Sequence, residues 1–79
     1  MPRIKRISYH GRRRAAERQI SEQELLEVLN DYFLSRPAAN GDRMLFEGHV
    51  HADGSRVCVV VSWPPDETDS VVVVTCWRK

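Results

Sequence analysis

Apolar residues recur every three or four positions in the first half of the chain and every two in the second. The first period is that of a helix with one buried face, the second that of a strand. Leu25, Val28, Leu29, Tyr32 and Phe33 fall at i, i+3, i+4, i+7 and i+8, one apolar stripe. Ser21 stands where an N-cap belongs, and Glu24 completes an S-x-x-E capping box. Ile20 and Leu25 can close on each other as a hydrophobic staple. The spacing therefore predicts a helix from Ser21 that Pro37 ends, followed by an Asn40-Gly41 turn. Beyond residue 42, RMLFEGHVH, RVCVVVSW and SVVVVTCW read as three strands. Asp53-Gly54 is a hairpin signal between the first two, and an acidic, Pro-rich loop at 64–69 separates the last two.

The N-terminal part is less sharply patterned. A short helix is expected from about His10 to Arg18, with Gly11, Ala15 and Ala16 as its small core-facing residues. Residues 3–9, RIKRISY, fit either a short extended edge strand or a basic arm. The predicted fold is α+β, two N-terminal helices packed on a three- to four-stranded antiparallel sheet. Two strands are apolar on both faces: Val57, Val59 and Val61 on one side, Cys58 and Val60 on the other, with a similar run at Val71–Val74. A sheet with helices on one face needs polar residues on its solvated face. Its second face is thus expected to be covered by the N-terminal segment, a second copy or a partner protein, a dimer or a partner being most in keeping with the chain's size; the alternative is a twisted sheet wrapped closely enough by its own helices.

At 79 residues the chain has room for one domain, 1–79. A domain of that size buries only about 60–65 % of its unfolded surface, which argues against a deep cofactor pocket and for chemistry on a face or shallow groove. The net charge of +1 conceals an asymmetry. Residues 1–18 hold seven bases against Glu17, and the remainder five bases against ten acids. Such polarity suggests an anionic partner for the N-terminal segment. Cys58 and Cys76 lack metal-ligand or CxxC spacing and read as small buried hydrophobes, with a cross-strand disulfide as the alternative. With no secretory h-region and no 18-residue apolar run, the expected compartment is the cytoplasm.

His10, Arg14 and Arg18 then acquire meaning. Residues four apart on a helix drift only about 40° per step, so the three form one stripe. Like charges at that spacing repel, and an anion lying against the stripe would relieve them. Arginine offers a planar fork for two phosphate oxygens, and histidine can hold or move a proton near neutral pH. Arg6, Arg12 and Arg13 widen the basic surface. His49 and His51 are expected on one side of their strand with Arg43 and Glu47, as further nucleic-acid contacts. HVH can begin a zinc site, but no further ligands are suitably placed, so no metal or cofactor is expected. Near the C-terminus, the Thr75 hydroxyl can donate to a phosphate and Trp77 can stack on a base. No Gly-rich phosphate loop or GxSxG elbow is present.

The run HGRRRAAERQISEQE, residues 10–24, resembles the signature of a family of small bacterial proteins of unassigned function. In that pattern His and a small residue are followed by two Arg at four-residue intervals and by Ile-Ser. The family is similar to RelE-type toxins and, more broadly, to the barnase, EndoU, colicin and RelE-like ribonucleases. The resemblance implies a RelE-like fold, RNA as substrate, cleavage through the RNA 2′-hydroxyl without a metal, and an antitoxin as partner. It implies His10 as acid or base, Arg14 as phosphate ligand, Arg18 as second donor and, more loosely, Thr75 as the hydroxyl of the last strand. Two positions depart from it: Gln19 replaces the usual Gly after the first helix, and Trp77 replaces a terminal Tyr. The competing expectations are a non-catalytic module that binds nucleic acid or protein, and a structural domain that dimerises through its sheet.

Overall fold

A computed structural model describes residues 3–38, 41–51 and 54–79. The order is β1 (Arg3–Ile7), α1 (Tyr9–Arg18), α2 (Glu22–Asn30), β2 (Tyr32–Ala38), β3 (Arg43–His49), β4 (Arg56–Ser62) and β5 (Ser70–Arg78). The strands form one sheet in the order β1-β5-β4-β3-β2, with β1 parallel to β5 and the other neighbours antiparallel. The expected turns at Asn40-Gly41 and Asp53-Gly54 fall partly outside the described residues. Gly41 and Gly54 themselves have φ of 90° and 72°.

The predicted antiparallel sheet of three to four strands is therefore corrected at both edges. Residues 3–7 form a true strand, which runs parallel to β5 because two helices lie between it and the meander. Residues 32–38 are a strand and not the end of α2, which stops at Asn30. Asp31 leaves helical geometry at φ −143° while its N–H still donates to Glu27. Tyr32 and Phe33 happen to continue the helical spacing, but as aromatics they suit a strand equally well. Pro37, which cannot donate to a ladder, is accommodated because β2 is an edge.

Each helix starts at a serine N-cap, the one at Ser21 as expected. Ser21 Oγ accepts from Glu24 N–H at 3.1 Å and Glu24 Oε1 accepts from Ser21 N–H at 2.9 Å, the full capping box. Ser8 caps α1, its Oγ accepting from Gly11 N–H at 3.0 Å and donating to the Val74 carbonyl at 3.1 Å. Gly11 is where α1 presses on β5: a Cβ there would lie 2.9 Å from the Val73 carbonyl oxygen. Both helices cover one face of the sheet. Ala15, Ile20, Leu25, Val28 and Leu29 meet Phe46, Val57, Val59, Val61, Val71, Val73 and Cys76 in one core.

On the opposite face Leu45, Cys58 and Val60 are also buried, within a single chain. Long side chains of that same face screen them. Lys79 Nζ donates to the buried Glu47 at 3.2 Å, and Arg56 approaches the same carboxylate at 3.7 Å. The register also settles the cysteines. Cys58 pairs with Trp77 and Cys76 with Val59, so the thiols point to opposite faces and both are free.

Candidate active site

β1 pairs with β5 only as far as Val73. Past that point the outer side of β5 is flanked by α1, and an open groove of about 390 Å³ runs between them. Its walls are His10, Arg14 and Arg18 from the helix and Thr75, Cys76 and Trp77 from the strand. The structure thus brings five of the expected residues together. Cys76 is the addition. Alternation places it on the opposite face from Thr75 and Trp77, but a groove along a strand's edge is reached from both faces. Burial pushes its thiol pKa up, with the Arg18 charge opposing, so it stays protonated and apolar.

Arg14 is half-buried and doubly held. Its Nε–H donates to His10 Nε2 at 3.4 Å, and its NH1 donates to Glu17 Oε1 at 3.2 Å. In the first bond the imidazole accepts at Nε2. Arg13 also pairs with Glu17, at 3.9 Å. One acid thus offsets two of the clustered cations, and a smaller hollow of about 80 Å³ lies among His10, Arg13, Arg14 and Glu17. Among the described residues the Arg18 side chain makes no hydrogen bond or ion pair, so its guanidinium can turn to an anion in the groove.

The end of α1 that carries Arg18 is fixed by Arg78, which sequence reasoning passed over. Its NH2 donates to the Gln19 carbonyl at 2.9 Å and its Nε to the Arg18 carbonyl at 3.4 Å. NH1 donates to Ser55 Oγ, and NH2 lies 3.6 Å from Glu24 of the capping box. The last side chain of β5 therefore caps α1 and holds it against α2. A basic residue near a C-terminus is the only local signal for this, because the carbonyls it finds are about sixty positions away.

The remaining candidates lie elsewhere. Arg12 is exposed on α1 and lines neither hollow; Arg6 is exposed on β1. His49 and His51 do not form a pair with the groove. β4 and β5 separate β3 from α1, and His49 packs against Phe33 with centroids 5.0 Å apart and the rings tilted by 33°. His51 lies beyond the strand's end, its N–H donating to Glu27 at 3.0 Å and its ring 3.8 Å from Asp31. Among the described residues no group of three or more His, Cys, Asp or Glu is arranged to hold a metal, and no helix is long and apolar enough to cross a membrane.

Neither the curated proteins nor the solved structures yield a match to this chain. A family model described as a domain of unknown function (DUF4258) matches residues 7–78, and the chain belongs to that family.

Proposed function

We propose that the α1–β5 groove binds a phosphodiester of RNA and cleaves it through the neighbouring 2′-hydroxyl, without a metal ion. One observation carries this reading: two guanidinium groups and an imidazole face a hydroxyl and an indole across one groove. The resemblance of residues 10–24 to a family akin to RelE-type toxins supports it further, and extends it to an antitoxin protein as physiological partner.

In this mechanism Arg14 holds a non-bridging oxygen of the phosphate, and Arg18 donates to the second. Thr75 Oγ–H supplies a neutral donor and the Trp77 ring stacks on a flanking base. As Arg14 turns from His10 to the phosphate it frees His10 Nε2, which takes the 2′-hydroxyl proton as the 2′-oxygen attacks phosphorus. The bond to the 5′-oxygen breaks, and that oxygen leaves with a proton, from the imidazolium or from water. Products are a 2′,3′-cyclic phosphate and a 5′-hydroxyl. The guanidinium pair stabilises the charge that builds on the phosphorane.

Total RNA incubated with the protein in excess EDTA should yield fragments with these ends. His10→Ala should lower the rate about a hundredfold or more, with the thermal midpoint unchanged because the imidazole is exposed. Equal cleavage by the variant would reject the assignment. A second reading, binding without cutting, is favoured because, among the described residues, the groove wall holds no carboxylate and no second imidazole. It predicts a salt-dependent complex with intact RNA at any protein concentration.

A further inference from the structure

The face of the sheet turned away from the helices has a composition that the groove does not use. Antiparallel partners share a face, so cross-strand rows can be followed across it. Trp77, Cys58, Glu47 and Leu34 form one row, and Thr75, Val60, Leu45 and Arg36 the next. Outside the first lies Arg56 opposite His49, with Lys79 N–H bonded to the Arg56 carbonyl. Outside the second lies Arg43 opposite Ser62. The middle of this face is apolar, with cations at both ends: Arg56 and Lys79 at one, Arg36 and Arg43 at the other.

Among the described residues no exposed acid interrupts it. Among the described residues Glu47 is the one acid on any strand, and it is buried with Lys79 and Arg56 against it. The other described acids occupy the helices, Asp31 and the loops. Aromatic rings stand at both sides: Trp77 on β5, already a wall of the groove, and Phe33 packed against His49 at the far edge. Three strand spacings, about 14 Å, separate β5 from β2, a span for a few successive nucleotides.

We propose that this face is a platform for single-stranded RNA, continuing the α1–β5 groove past Trp77 to the Phe33–His49 pair. The groove reading supplies only the strand's entry point. Rings stack on bases while the flanking cations meet phosphates, the combination by which single strands are bound without strong sequence preference. A protein partner fits less well, because Leu45, Cys58 and Val60 are already withdrawn from water, and the large apolar side chains still exposed here, Phe33 and Leu34, are confined to the edge strand.

The test uses an uncleavable probe, a ten-residue 2′-O-methyl oligouridylate, with fluorescence anisotropy at several salt concentrations. Arg36 and Arg43 are exposed and have no side-chain partner among the described residues, so Arg36→Ala/Arg43→Ala leaves the fold intact. Loss of two phosphate contacts should weaken binding about tenfold and flatten the slope of log K against log salt by about 1.4. Because the probe cannot be cut, this result stands whether or not the groove cleaves RNA. Cleavage of a dinucleotide, which fills the groove alone, should be unaffected by the double variant. Unchanged affinity for the oligouridylate would overturn the proposal. So would indifference to the oligouridylate together with arginine-dependent binding of polyglutamate, which would assign the face to an acidic protein.

Discussion

Gln19 sits at φ 55°, ψ 46°, the left-handed conformation that ends α1. Its N–H closes the helix onto the Ala15 and Ala16 carbonyls. A side chain with a Cβ is strained there and glycine is not. Gln19→Gly should therefore raise unfolding stability by about 0.5–1 kcal/mol, read as an increased urea midpoint with unchanged m-value. A decrease would mean that the Gln19 side chain makes a contribution its backbone geometry does not reveal. The same neighbourhood shows how far single residues were legible. Gly11 marked a close approach only once β5 lay 2.9 Å from its missing Cβ. The stripe of His10, Arg14 and Arg18 needed only helical spacing, and it lines one groove. Arg14 bonded to His10 and Glu17 explains how such a row is tolerated without a bound anion.

At the scale of elements, local chemistry was readable and long-range pairing was not. The capping box, the staple residues and the three meander strands are written in contiguous residues, and all three strands form. β2 escaped because Tyr32 and Phe33 satisfy a helical period and a strand composition alike. β1 could be read as a strand or an arm, and its parallel partner lies more than sixty residues away. Arg78 belongs to the same class of feature, since it joins β5 to the end of α1. Arg78→Met keeps the aliphatic stem and removes the donors. Hydrogen bonds from a charged group to carbonyls contribute about 1.5–3 kcal/mol, so about 2 kcal/mol of stability should be lost. Amide exchange should then accelerate at the last turn of α1 before it does so in β4. Uniform acceleration across both would mean that Arg78 supports the whole fold and has no particular hold on the groove.

At the scale of the molecule, charge is sorted by face in a way that counts along the chain obscure. The portion after residue 18 is acidic in sum, yet its arginines lie on the sheet and its described acids, Glu47 apart, on helices and loops. Two carboxylates tie distant parts together. The Asp66 carboxyl is held down to about 2, chiefly by the Thr68 hydroxyl and then by the Ser70 N–H against slight burial, with Lys5 of β1 at 3.4 Å. Burial works against ionisation of Glu47, but the Lys79 hydrogen bond and charge, with Cys58 and Arg56, hold its pKa below the usual carboxylate range. Both bind a proton more weakly folded than unfolded, so their contribution is complete above the ordinary carboxylate pKa and is lost as the pH falls. For Asp66 the window runs from about 4 down to about 2. Urea midpoints measured from pH 6 to pH 2 should decline across that window. Asp66→Asn should start lower at pH 6 and decline less, because the variant has no proton to take up at that site. A variant curve parallel to that of the parent would place the acid sensitivity in other groups, Glu47 first, and Glu47→Gln would then be the variant whose curve flattens.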